Sequence, residues 1–152
     1  MPDFKDKNEE YVEARIFFRL EVDDGWPLVS VESMWAERRE DGLFRLDNIP
    51  LFAEDANLND IVRAEVGDDG VLEFREFVES GGYITVRICT EPELTRSILD
   101  VLSRHGAEYE QSPFEDIGYF SASIPPEADW EAVESYLNEL EEDGATGWGA
   151  TF

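Results

Sequence analysis

Leu43-Phe44-Arg45-Leu46-Asp47-Asn48-Ile49-Pro50-Leu51-Phe52-Ala53, then a polar turn, then Asp60-Ile61-Val62-Arg63-Ala64-Glu65-Val66: this stretch decides the fold class. A short strand from Leu43 to Leu46 runs into a proline corner. Proline fixes its own φ and biases Ile49 towards extended geometry, so the chain turns here instead of coiling. Asp47 and Asn48 are expected to hold the turn through side-chain hydrogen bonds. Leu51, Phe52 and Leu58 are expected to plug one end of a sheet, and a second strand runs from Ile61 to Val66.

The flanks look built to pair with these strands. Upstream, Tyr11 to Val22 alternates, with Val12, Ala14, Ile16, Phe18 and Leu20 on one side. Residues 1–10 before it are expected to fray. After the turn Asp23-Asp24-Gly25-Trp26-Pro27, Leu28 to Glu37 reads as a strand with Val29, Val31, Ser33 and Trp35 on one face. Asp41-Gly42 is a hairpin signal that returns the chain to Leu43. Downstream, Asp68-Asp69-Gly70 joins Ile61–Val66 to Val71–Glu79, whose apolar residues fall on both faces. Short strands with tight turns predict a curled antiparallel sheet or small β-barrel over residues 1–80.

The grammar changes at Ser80-Gly81-Gly82. Tyr83 to Cys89 reads as a strand. Thr90 with Glu93 has capping-box spacing, and Pro92 suits a first helical turn. Leu94, Ile98, Val101 and Leu102 form a helical stripe that ends near Gly106. Ala107–Gln111 and Ile117–Ile124 read as strands around a turn at 112–116. Pro125-Pro126 is expected to open a second helix with the stripe Trp130, Val133, Leu137 and Leu140, ending at Asp143-Gly144. Trp148–Phe152 can add a final strand. The class is therefore α+β, with a ferredoxin-like β-α-β-β-α-β unit over residues 81–152. The glycine joint is too short for a flexible tether, so the two parts should pack closely.

Composition narrows the function classes. The chain has 152 residues, 42% of them hydrophobic, with ten Phe, four Trp and five Tyr, which suits a globular protein. No apolar run is long enough to span a bilayer, and Met1-Pro2-Asp3-Phe4-Lys5 lacks a signal-peptide core. With a lone cysteine, Cys89, no intrachain disulfide is possible, and a cytoplasmic protein is expected. The net charge is −25, unevenly spread: residues 107–152 hold 12 acids and no lysine or arginine. Such a surface repels nucleic acid and anionic membranes and attracts cationic partners.

The run Arg45-Leu46-Asp47-Asn48-Ile49-Pro50-Leu51-Phe52-Ala53, with Asn59-Asp60-Ile61-Val62, the hairpin to Phe74, and Ser80-Gly81 before Thr85-Val86-Arg87, resembles a bacterial family known as domain of unknown function 4265. The likeness extends from Ile16 onwards. It implies a two-part α+β fold and no assigned reaction, so it supplies no catalytic residue. In size and acidity the chain is also similar to immunity proteins of polymorphic or contact-dependent toxin systems, a likeness of character without a motif.

No residue set signals reaction chemistry. His105 falls in the last turn of a helix, where a cation suits the helix end. Cys89 reads as a buried structural thiol. No Cys/His set suits zinc, and Asp55-Ala56-Asn57-Leu58-Asn59 fails as a calcium loop because Asp60 stands where glycine belongs. No catalytic residue, metal or cofactor is therefore expected. The expected function is an acidic inhibitor, an immunity protein that covers a basic, nuclease-like toxin. Its partner-binding residues would be Glu127, Glu131, Glu134, Glu141 and Glu142 on the second helix, with Glu115 and Asp116. One alternative is a nucleic-acid mimic acting on a DNA-binding protein. Another is a small ligand-binding protein or enzyme with a pocket between the two parts, which a deep pocket containing Arg19, Arg45 or Arg87 would favour.

Overall fold

A computed structural model describes residues 13–112 and 118–152. Residues 1–10, expected to fray, lie outside the described residues, as does most of the turn expected at 112–116. Five strands, β1 (Glu13–Arg19), β2 (Val31–Arg38), β3 (Phe44–Leu46), β4 (Ile61–Val66) and β5 (Leu72–Glu79), form a closed barrel in chain order. Neighbours pair antiparallel, and a parallel bridge from Phe17 of β1 to Glu73 of β5 closes the ring. The second sheet has β6 (Ile84–Thr90), β7 (Glu108–Gln111), β8 (Gly118–Ile124) and β9 (Thr146–Thr151), in the order β7-β8-β6-β9 and antiparallel throughout. Helix α1 (Thr95–Arg104) links β6 to β7, and α2 (Trp130–Glu142) links β8 to β9.

The barrel core follows the alternation of β1. Ile16 and Phe18 point inward against Met34 and Ala36 of β2, Phe44 and Leu46 of β3, and Val62 of β4. Burying a side chain of this size contributes about 1.5–3 kcal/mol. The apolar face expected on β2 is the outer one: Val31 and Trp35 are exposed, and the Arg15 guanidinium lies over the Trp35 ring at 5.4 Å. Strand β5 shows mixed faces because its register with β4 shifts twice. Val62 faces Phe77 whereas Ala64 faces Phe74, so β5 carries extra residues and its inward face changes along its length. Leu72 and Phe74 pack on the core, while Phe77 and Val78 are exposed.

Plugging the barrel falls to Ala53 and Ala56, which belong to its buried cluster. Leu51, Phe52 and Leu58, expected in that role, are not part of that cluster, and the Phe52 ring instead stacks on Tyr119 of the second sheet.

In the second sheet, Val86 and Ile88 of β6 and Phe120, Ala122 and Ile124 of β8 share one face. Ile98, Leu99 and Leu102 of α1 and Val133 and Leu137 of α2 cover it, so both helices pack on the same side. Helix α1 ends as expected, with His105 capping and Gly106 at φ +85°. Three expectations at helix and strand ends are corrected. Thr90 forms no capping box: it ends β6, where its hydroxyl bonds that of Thr146 at 2.8 Å, and a 3-10 turn over Pro92–Leu94 precedes α1. Pro125-Pro126 does not open α2. Ala128 closes a turn onto the Pro125 carbonyl, and Asp129 caps the helix by accepting from the Ala132 N–H at 3.2 Å. The last strand starts earlier than Trp148, at Thr146.

Candidate functional site

The face of the second sheet away from its helices is polar. Thr85, Arg87 and Cys89 of β6 alternate onto it, as do Tyr119, Ser121 and Ser123 of β8. The loop at 47–60 bridges the barrel to this face. Its corner is held from the barrel side by Glu32, a half-buried residue of β2. The Glu32 carboxylate accepts three backbone N–H bonds, from Leu51 at 2.7 Å, Phe52 at 3.0 Å and Ala53 at 2.7 Å. The Asn48 side chain accepts from the Trp35 N–H, so its bond ties the corner to β2 and not to its own turn as expected.

From the sheet side the loop is met by side chains. Tyr119 donates to the Leu51 carbonyl at 2.8 Å. Thr85 donates to the Asn57 side-chain oxygen, and Arg87 to the Ala53 carbonyl. Asp60 closes the joint: its buried carboxylate accepts from Asn57 N and Gly81 N, both at 2.8 Å. Burial pushes the Asp60 carboxyl above its ordinary range, and those two N–H bonds pull it back in part.

Beside this contact lies an open cavity of about 530 Å³ between the barrel and the second sheet. Its aromatic side is Trp26, Phe52 and Tyr119. Phe52 and Tyr119 stack at 5.3 Å with planes 6° apart, and Trp26 sits edge-on to both. Its charged lining is Arg19, Glu21, Glu54, Asp55 and Arg87. Arg19 is already paired with Glu73 at 2.6 Å. Arg87 is not so matched. Beyond Ala53 it donates to Thr151 Oγ1 at 2.8 Å, its buried Nε has no partner, and no described carboxylate forms an ion pair with it. Its cross-strand neighbour Ser121 also has a buried hydroxyl without a partner. Burial lowers the Arg87 pKa, partly offset by Tyr119, Glu54, Glu32 and Asp55. Asp55 is raised, first by burial and next by Glu54.

The candidates named from sequence distribute as follows. Arg19 and Arg87 both line the cavity, whereas Arg45 sits on the barrel exterior paired with Glu37 at 2.6 Å. Glu131, Glu141 and Glu142 are exposed along α2, Glu127 is exposed in the turn before it, and Glu134 is half-buried at its flank. Among the described residues, none of these acids forms an ion pair. Glu115 and Asp116 lie outside the described residues. His105 is half-buried at the end of α1, remote in the fold from the cavity lining. Cys89, expected to be buried, is exposed, because it lies on the sheet face turned from the helices and near the end of its strand. Sequence reasoning did not assemble Trp26, Phe52, Tyr119, Glu32, Glu54 and Asp55 into one site. The usable signal was Arg87 itself, a cation on the polar face of a strand whose other face is core.

A family model described as a domain of unknown function (DUF4265) matches residues 32–148, which take in parts of both sheets. No curated protein matches the chain. A solved structure of a hypothetical protein from Neisseria gonorrhoeae superposes with a TM-score of 0.76. It shares 24% identity, and the match covers 91% of this chain and 94% of that one. At that identity the likeness speaks for the fold alone.

Proposed function

The chain belongs to the family described as a domain of unknown function (DUF4265), and from that premise we propose a binding protein that holds a small ligand in the cleft between barrel and second sheet. The observation that carries this reading is Arg87. A desolvated guanidinium without a carboxylate partner is costly, by several kcal/mol in general, and here it borders a cavity with an aromatic wall. Pockets of this volume with a few convergent polar groups are the usual form of small-molecule sites. The second unit is read as ferredoxin-like, supported by its β-α-β-β-α-β order and its helices on one face. The reading is of binding without catalysis, in the cytoplasm.

The test is a thermal-unfolding screen of the intact chain against small carboxylates, amines and aromatic metabolites. Compounds that raise the midpoint of the wild type should raise it less in Arg87→Gln and in Phe52→Ala. Hits that act equally on all three proteins, or the absence of hits, would remove the cleft reading.

A second reading, an immunity-type inhibitor of a basic toxin, is favoured by the unpaired acids of α2. In that case Glu131→Lys with Glu134→Lys slows association with a cationic protein partner, as does added salt. The variant should be as stable as the wild type, since it removes self-repulsion. Association unchanged by both would reduce α2 to a solvated face.

A further inference from the structure

We infer that the ligand of the cleft is a small zwitterion, an α-amino acid with an aromatic side chain, bound by its carboxylate at Arg87 and by its ammonium at Glu54 and Asp55. This rests on the cleft reading and adds the ligand's chemistry. Three features of the lining require it together. Arg87 is half-buried on the sheet face and lines the cavity, and its two terminal nitrogens each keep a second N–H after their bonds to Thr151 and Ala53. A planar guanidinium with free donors fits a carboxylate, through charge-assisted hydrogen bonds. Glu21, Glu54 and Asp55 are exposed around the same cavity, and Arg19, the other cation there, is taken up by Glu73. Burial first, and then the neighbouring Glu54 and Glu21 charges, raise Asp55, so a cation among these carboxylates is favoured.

The third feature is the ring cluster. Trp26 packs edge-on against Phe52 and Tyr119 yet keeps 42% of its surface exposed beside the cavity. A ligand ring laid there extends the cluster.

Simpler ligands fit less well. A plain anion matches Arg87 but must enter the field of a protein with net charge −25 and pass three carboxylates. A plain cation matches the carboxylates but leaves Arg87 desolvated and unmatched. A zwitterion is neutral overall, so the field neither repels nor selects it, and it answers both ends.

The experiment is calorimetric titration of the full chain, at physiological salt, with three probes. These are L-phenylalanine, its methyl ester, which lacks the carboxylate, and N-acetyl-L-phenylalanine, which lacks the ammonium. Phenylalanine should bind at least about tenfold more tightly than either analogue, the scale of one well-made charged contact. Arg87→Gln should erase its advantage over the ester. Glu54→Gln with Asp55→Asn should erase its advantage over the N-acetyl compound, and this pair sits on an exposed loop, so it tests the amine end even if Arg87→Gln folds poorly. Glu131→Gln on α2 should change nothing. The zwitterion is overturned if an analogue binds as tightly as phenylalanine, or if none of the three binds. The screen against Arg87→Gln then decides separately whether the cleft takes another ligand.

Discussion

Tyr119 shows how one side chain reports on the contact between barrel and sheet. Its ring stacks on Phe52 and its hydroxyl donates to Leu51, so ionising it would strip a buried donor and place a charge in poor solvent. Burial accordingly pushes its pKa from 10.0 to about 12. The folded chain holds this proton more tightly than the unfolded chain does. The stability it contributes is therefore complete below the ordinary phenol value and is lost as pH rises from about 10 towards about 12. Ultraviolet titration of phenolate should show a last step near 12, and Tyr119→Phe should remove it, whereas Tyr136, also raised by burial, should keep its own step. A variant that instead removes a step at the ordinary value would show the phenol to be solvated. At this scale the sequence was least legible. Nothing local marks Tyr119, Glu32 or Arg87 as neighbours, because their meeting depends on how the loop crosses the sheet. Cys89 was misjudged for the same reason, since strand alternation places it on the polar face but does not say what covers that face.

Elements were read more securely than the site, for reasons visible strand by strand. Strand β1 alternates cleanly because one face is core and the other is solvent, and its buried Ile16 and Phe18 follow from period two alone. Strand β5 resisted because two register shifts change its inward face, and bulges leave no mark in hydrophobic alternation. Thr90 and Pro125-Pro126 misled because local capping rules compete with tertiary partners, here Thr146 for the threonine and the Ala128 turn for the prolines. The loop at 47–60 is a different kind of element, ordered by a side chain from another strand. Glu32 gives it three acceptor contacts with two oxygens, both Phe52 and Ala53 donating to Oε1. Glu32→Gln replaces one oxygen by an NH2 that faces an N–H donor. We expect a loss of about 1–3 kcal/mol, the cost of orphaning a buried donor, read as a lower denaturation midpoint with an unchanged slope. If the midpoint does not move, the loop is held by its other ties, those of Asn48, Thr85, Arg87, Tyr119 and Asp60.

At the scale of the whole molecule, the two sheets are joined through Gly81, and its lack of a side chain is what lets them meet. A Cβ there would lie 2.6 Å from the Asn59 carbonyl oxygen and 2.7 Å from the Asn59 Cβ. Asn59 cannot retreat cheaply, since it sits at φ +67° and its N–H bonds the Leu46 carbonyl at 2.9 Å. In Gly81→Ala the joint must open, and the Gly81 N–H leaves the Asp60 carboxylate half-satisfied in a buried position. Overpacking of this kind costs about 1–3 kcal/mol. The loss falls on the contact between the sheets more than on either core, because neither buried cluster includes Gly81. Trp35 reports on the barrel side, and Trp130 and Trp148 on the second sheet, whereas Trp26 packs on Tyr119 across the contact. With Trp26 replaced by phenylalanine, further replacing either Trp35 or the pair Trp130 and Trp148 gives two proteins whose fluorescence follows one unit each. In the Gly81 background both should show coincident denaturant transitions, as a two-state chain requires. With Gly81→Ala the midpoints should fall and separate. Two midpoints that fall together would mean that the contact survives through Thr85, Arg87 and Tyr119, and midpoints that stay put would mean that Asn59 yields after all.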